Sequence, residues 1–241
     1  MKKMITKERL KRFNRNVISG IKIVGIVIFV CILFRVFVGE PCVVPSDSMY
    51  PTILTGDRMW IDKVAYGAIL PQRWADIPIV NIFTWIKPLR VADEKNDWGD
   101  RRFYGLRKPK VKDLAVFKSP EYPHPLLVKR ISSILNAGDT ILVTPDNYDK
   151  MYNVVNNEGH QIFREDGIIF INNQKDSTVL LSQSYYYMLG DNSENSYDSR
   201  EFGYIPHKSI VGRMNFVFYS IDSEQTGFNK IRWNSFFKTI K

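Results

Sequence analysis

Two patterns of apolar residues divide the chain. Ile23 to Phe34 reads IVGIVIFVCILF, and continuing past Lys22 and Arg35 gives a stretch from Val17 to Val38, 22 residues in all. That length spans a bilayer when helical. Lys22 and Arg35 sit toward its ends, where long side chains carry their charge up to the headgroups. After it the pattern changes to short apolar runs broken by Gly, Asp, Asn and Pro: Met59 to Val64, Leu114 to Phe117, Leu126 to Leu135, Ile169 to Ile171, Tyr185 to Leu189 and Ile210 to Tyr219. Their length and their β-branched and aromatic members predict strands, and hence a mainly β, antiparallel domain.

Two regions depart from that rhythm. Residues 68–110 interleave Trp74, Phe83, Trp85, Trp98, Phe103 and Tyr104 with prolines and charges, which predicts a long excursion from the β core. Residues 140–185 read as a small β insertion. Near the C-terminus Trp233, Phe236, Phe237 and Ile240 fall at i, i+3, i+4 and i+7 among Lys230, Arg232, Lys238 and Lys241. This spacing predicts a short helix, either lying on anionic lipid or packed on its own domain. The resulting division is a basic tail over 1–15, an anchor over 16–38 and a folded domain over 39–241.

Charge bears on orientation. The chain carries Lys+Arg 34 and Asp+Glu 25, a formal +9. Residues 1–15 hold seven bases and one acid, and Lys22 and Arg35 add two more charges, so residues 39–241 are left with +1. A basic footprint confined to a tail before an apolar run argues against nucleic acid as a partner. It fits the excess of bases on the cytoplasmic side of an anchor, with residues 39–241 outside. A cleaved leader has a similar start, but the residues after the run, Arg35-Val36-Phe37-Val38-Gly39-Glu40-Pro41, offer no small-residue cleavage site, which favours a retained anchor. Cys31 and Cys42 are too few for a disulfide framework. His124, His160 and His207 are scattered, with no metal-ligand spacing, and no metal or cofactor is expected.

Candidate chemistry concentrates in three segments. The first is Pro45-Ser46-Asp47-Ser48-Met49-Tyr50-Pro51-Thr52-Ile53-Leu54-Thr55-Gly56-Asp57, two hydroxyls two residues apart between prolines that stiffen the backbone. The second is Leu126-Leu127-Val128-Lys129-Arg130-Ile131. In a strand, Leu127, Lys129 and Ile131 share a face and Arg130 points to the other, so Lys129 has apolar neighbours. Burial of that kind lowers a lysine pKa, and lowering it by about three units costs roughly 4 kcal/mol. The third runs Gly190-Asp191-Asn192-Ser193-Glu194-Asn195-Ser196-Tyr197-Asp198-Ser199-Arg200-Glu201-Phe202-Gly203. Ser235-Phe236-Phe237-Lys238 matches S-x-x-K but lacks the S-D-N and K-T-G companions of penicillin-binding enzymes.

The first segment resembles the nucleophile motif of type I signal peptidases, the bacterial leader peptidases, P-S-x-S-M-x-P-T-[LI]-x-x-G-D, at every fixed position. The third is similar to the family's G-D-N-x-x-x-S-x-D-S-R-x-x-G box. The resemblance covers about residues 30 to 220. It implies a signal-peptidase-type antiparallel β domain behind one transmembrane helix, with Ser48 as nucleophile and Lys129 as general base. By the same resemblance the Ser48 N–H and the Ser46 hydroxyl form the oxyanion hole, and Ser196 orients Lys129. Asp198 and Arg200 brace the loop, Asp191 meets Arg130, and Val44 and Pro45 line the substrate pockets.

The implied substrates are exported precursors with small residues at −1 and −3, and the implied partners are their signal peptides, the lipid bilayer and, as a further candidate, the secretion machinery. The location implied is the inner membrane. A link of ten residue steps leads from Val38 to Ser48. Fully extended, that link reaches at most about 35 Å, so the nucleophile works near the outer bilayer surface.

This chain departs from the family pattern at Lys112, where R-G-D has glycine, at Ser193, where arginine is common, and in a loop after Lys129 that is two residues longer. Soluble self-cleaving repressors share a Ser-Lys pair, but they carry a DNA-binding domain and no anchor. An anchored, non-catalytic binding or assembly protein on the same fold is the alternative.

Overall fold

The computed structural model describes the backbone of residues 2–121, 124–175, 177–222 and 224–240, and the side chains from Phe13 onward. The basic side chains of Lys2 to Arg12 and the last residue, Lys241, lie outside the described residues. Helix α1 (Lys2–Phe37) contains Phe13–Phe37, with mean hydropathy 2.8, long and apolar enough to cross a membrane. Twenty-five residues rise about 37 Å against about 30 Å of hydrocarbon, and the apolar side chains along this stretch are largely exposed.

Contacts divide the chain into two units, Met1–Val38 with Leu70–Arg101, and Gly39–Ile69 with Arg102–Lys241. In the first, the excursion is drawn together at its base. The Leu70 N–H donates to the Arg101 carbonyl, the Trp98 N–H to the Gln72 carbonyl, and Trp74 meets Trp98 edge to face at 5.0 Å. The excursion is narrower than 68–110, because Ile69 bridges to Arg102 and the Phe103 N–H donates to the Ala68 carbonyl.

The second unit is an antiparallel sheet. Its strands are β1 (Gly39–Val43), β2 (Asp57–Asp62), β3 (Leu114–Lys118), β4 (Leu126–Leu135), β9 (Tyr185–Leu189), β10 (Ile205–Pro206), β11 (Ile210–Ser220) and β12 (Lys238–Thr239). The order is β1-β2-β11-β3-β4-β9-β10, with β12 on β11. Four consecutive residues of β3 are buried because the sheet is covered on both faces. Leu114 and Val116 join Met59, Ile61, Met214 and Val217 on one side, while Ala115 and Phe117 join Ile131, Met188, Phe202 and Ile205 on the other. Between β4 and β9 lie β5 (Thr140–Leu142), α3 (Tyr148–Asn157), β6 (Ile162–Glu165), β7 (Ile168–Ile171) and β8 (Thr178–Leu180), with their own core of Ile141, Val154, Val155, Ile171 and Leu181. Asp166 and Gly167, both at positive φ, make the tight β6–β7 turn.

The helix expected near the C-terminus is not formed. Short 3₁₀ turns at Gly227–Lys230 and Trp233–Ser235 lead into β12. Strand β3 pairs with β11 only from Ile210 to Met214, which leaves that edge of β11 open further along, and β12 takes it up opposite Phe216 and Val217. Satisfying those backbone groups outweighs a helical side-chain spacing.

Lys112, where the family pattern has glycine, sits at φ +75. Its N–H donates to the Ile131 carbonyl and its own carbonyl accepts from Arg130, so the left-handed conformation is held by β4. A side chain pays roughly 1–2 kcal/mol there, against a smaller entropic cost for glycine. Lys112→Gly is therefore expected to stabilise the protein by about 1 kcal/mol and raise Tm by roughly 2–4 °C in a thermal melt.

Candidate active site

Ser48 lies on a turn between β1 and β2 that is anchored from beneath. Met49 and Ile53, on either side of Pro51, are buried with Val44 against Met59, Ile61 and Met214. The Tyr50 N–H donates to the Asp47 carbonyl and the Ile53 N–H to the Met49 carbonyl, closing the turn. Gly56 is needed at its end: φ is +90 and a Cβ would strike the Ile221 carbonyl. With its methionine down, the turn leaves Ser48 half-buried and Ser46 exposed, their hydroxyl oxygens 3.4 Å apart.

Lys129 is central in β4, opposite Ala115 of β3, and only 2% exposed. Its face carries Ile131 and Leu127, and the small Ala115 leaves room for the side chain. The Lys129 Nζ donates to Ser196 Oγ at 2.9 Å. The Ser196 hydroxyl donates to Asp198 Oδ2 at 2.8 Å, so the amine, hydroxyl and carboxylate form a directed chain. Burial is the main influence on Lys129 and pushes its pKa down. The Asp198 carboxylate works against this, Arg200 assists it, and Asp191 opposes it weakly.

Asp198 is fully buried and saturated. It also accepts from the Gly190 and Arg200 N–H groups and from the Arg200 guanidinium at 2.9 Å. Burial alone would raise this carboxyl, but Arg200, the Gly190 N–H and Ser196 hold it at about 2. Asp198 at the same time caps helix α4 (Ser199–Phe202), as a carboxylate does at a helix N-terminus.

The loop after β9 and the Ser48 turn are tied together by the expected Arg130–Asp191 pair and by two groups to which the sequence assigns no role, Asn192 and Thr52. The Asn192 N–H donates to the Ser48 carbonyl, and Asn192 Nδ2 donates to the Asp47 carbonyl, each at 3.1 Å. Arg130 grips Asp191 with two bonds of 2.8 and 2.7 Å. Asp191 in turn accepts from the Thr52 hydroxyl, and these partners hold its carboxyl down against burial. Adjacent residues of β4 thus carry the lysine and, through Asp191, one tie to the serine segment. Gly190 lies between the two parts: an added Cβ would be 2.6 Å from the Ser48 carbonyl oxygen and 2.6 Å from Ser196 Cβ. Those two atoms are therefore within twice that distance of each other. Glycine here is a requirement of close approach.

Of the two substrate-facing positions implied by resemblance, Pro45 is exposed while Val44 is in the core, with its N–H donating to Asp57 and its carbonyl accepting from Gly56. The histidine rings are engaged elsewhere. His207 contacts the Tyr186 hydroxyl at 3.1 Å, His160 bonds Asn172, and His124 bonds the Ser119 carbonyl.

The chain compares with known proteins as follows. Signal peptidase I of Helicobacter pylori (strain ATCC 700392 / 26695) is 25% identical over 281 residues, covering 89% of this chain and 89% of the relative. Signal peptidase I of Buchnera aphidicola subsp. Baizongia pistaciae is 23% identical over 276 residues, covering 88% of this chain and 80% of the relative. Thylakoidal processing peptidase 1, chloroplastic, of Arabidopsis thaliana is 28% identical over 203 residues, 79% of this chain, and this chain spans only 45% of that relative's length. A crystal structure of a signal peptidase I from Enterococcus faecalis V583 is 24% identical and aligns with 45% of this chain and 98% of its own, at a TM-score of 0.24. The family model described as signal peptidase, peptidase S26, matches residues 17–219. With a match that takes in β1 to β11 and all three segments that carry candidate chemistry, the chain belongs to the signal peptidase, peptidase S26 family.

Proposed function

We propose that this protein is a membrane-anchored serine endopeptidase that removes signal peptides from exported precursor proteins, with Ser48 and Lys129 as its dyad. The observation that carries the reading is the Lys129 amine, buried on an apolar strand face and tied to Ser196. An ordinary lysine is almost wholly protonated near pH 7 and accepts no proton, and burial moves it toward the neutral amine that does. Its N–H donated to Ser196 leaves the nitrogen lone pair for the Ser48 hydroxyl.

Ser48 Oγ attacks the scissile carbonyl as Lys129 takes its proton. The ammonium then protonates the departing amine, the mature protein leaves, and the signal peptide remains as an ester on Ser48. Neutral Lys129 next deprotonates a water, which attacks the ester, and the proton returns to Ser48 as the carboxylate product leaves. The Ser48 N–H and Ser46 hydroxyl hold the oxyanion. The signal peptide binds extended beside Pro45, and no cofactor takes part. Helix α1 anchors the enzyme in the inner membrane with its basic end in the cytoplasm and Ser48 outside, where cleavage sites emerge.

The test is to incubate the full chain in detergent with a precursor carrying an A-x-A site and with the same precursor carrying Trp at −1. Release of mature protein with the correct new N-terminus from the first and not from the second is expected. No release, or equal release from both, overturns the proposal.

The charges around Lys129 predict a pH effect. The neutral amine is the active form, so kcat/KM falls as pH drops through the Lys129 pKa. Arg200 helps to keep that pKa low and offsets Asp198. Arg200→Gln is expected to move the acid limb of the pH–rate profile to higher pH, and an unmoved limb removes Arg200 from this role.

A further inference from the structure

The excursion holds apolar side chains that the chain itself does not cover. From Ile77 to Ala92 it forms a 3₁₀ turn (Val80–Trp85) and most of helix α2 (Lys87–Asp93). Ile79, Ile82, Phe83, Trp85, Ile86 and Leu89 are all exposed there, Trp85 at 82%. The segment is displayed rather than loose. Behind it, buried Asp93 accepts from the Trp74 and Ala75 N–H groups at 2.9 and 3.1 Å, and the Trp74–Trp98 contact closes the base. Polar bonds thus hold the root while the apolar side faces outward.

We infer that this segment lies in the headgroup and acyl boundary of the bilayer, with its aromatic and aliphatic side chains inserted and Lys87 and Arg90 on anionic phospholipid. The inference rests on the membrane anchorage proposed above. The excursion belongs to the same structural unit as α1, the helix able to cross a membrane. Its composition is that of an interfacial element, with Trp, Phe and Ile beside bases. No acid occurs between Asp76 and Asp93, whereas Lys87 and Arg90 lie among the apolar residues, which suits a negatively charged surface. A second copy of the chain docked symmetrically on this patch would bring those bases against each other. Seated in this way, the enzyme gains a second hold on the outer leaflet besides α1.

The test uses the full chain reconstituted into vesicles of phosphatidylcholine with a minority of phosphatidylglycerol, made with ordinary or with dibrominated acyl chains. Helix α1 contains no tryptophan, so quenching by brominated chains reports on the rest of the protein. The Trp85 contribution is the emission lost in Trp85→Tyr. It is expected to fall by about twofold or more in brominated lipid, to be shielded from aqueous acrylamide, and to recover in Lys87→Glu/Arg90→Glu. A Trp85 contribution open to acrylamide and indifferent to bromine overturns the inference. So does one shielded from both, which means a protein cover, with cross-linked dimers identifying a second copy. Alkaline extraction and precursor cleavage on the same vesicles separate the failures. A chain that extracts refutes the anchor, and a chain that stays but does not cleave refutes the peptidase reading. One that stays and cleaves with Trp85 unquenched refutes only this inference.

Discussion

Lys129→Met and Ser48→Ala are each expected to abolish precursor cleavage, and the double variant to be no worse than either alone. A general base contributes roughly 10²–10⁴ in rate, and a nucleophile and base that act as a unit fail together rather than additively. Methionine nearly matches lysine in length and suits a site that is 2% exposed beside Ile131, Leu127 and Ala115, so the loss is one of chemistry and not of folding. Burial lowers the Lys129 pKa from 10.5 in the folded protein. Between that lowered value and 10.5 the unfolded chain binds more protons, so wild-type stability rises with pH across this window. Lys129→Met removes the penalty. It should melt above wild type near neutral pH, and the gap should narrow as pH approaches 10.5. Thermal melts beside cleavage assays test both halves, and a Lys129→Met protein that cleaves at the wild-type rate, or melts below wild type at neutral pH, contradicts the role given to the lysine.

What could be read from the chain follows from how local each signal is. Strands β4 and β9 begin and end where the runs Leu126 to Leu135 and Tyr185 to Leu189 do, because they lie inside a wide sheet and bury side chains such as Ile131, Tyr185, Tyr186 and Met188 in its cores. Strand β1, Gly-Glu-Pro-Cys-Val, lies at the sheet edge with much of its length accessible, so it has no hydrophobic signature. Helix α3 was hidden by composition: Asn153, Asn156 and Asn157 are poor helix formers, and it forms because Val154 and Val155 are buried in the insertion core. At the site, alternation along β4 was enough to expect apolar neighbours for Lys129. The ties through Thr52 and Asn192 join residues roughly 140 positions apart in sequence and depend on the sheet returning β9 beside β4. No local pattern encodes such a return. The C-terminal helix failed for the same reason, since the open edge of β11 is a property of the assembled sheet.

Asp198→Ala is expected to cost both stability and activity. The carboxylate is fully buried and gathers Ser196, the Gly190 and Arg200 N–H groups and the Arg200 guanidinium. Removing it strands several donors, and losing one partner of a buried charged network costs about 3–5 kcal/mol, here roughly 10 °C in Tm for a chain of this size. The acid side of the stability curve carries a second signature. With a folded pKa of about 2 against 3.8, ionised Asp198 adds about 1–2 kcal/mol above pH 3.8, after allowance for the solvent-screened Arg200, and this is lost as pH falls toward 2. The Ala variant lacks that contribution, so its deficit relative to wild type should be full at neutral pH and shrink between pH 4 and pH 2. Asp198→Asn separates bracing from charge. It keeps the shape and one acceptor oxygen but removes the negative charge that opposes burial at Lys129, so the acid limb of its pH–rate profile should move to lower pH, opposite to Arg200→Gln. If Asp198→Ala melts with wild type, the loop is held by something other than Asp198; if the Asn and Gln variants shift the limb the same way, the charges of Asp198 and Arg200 do not set the lysine.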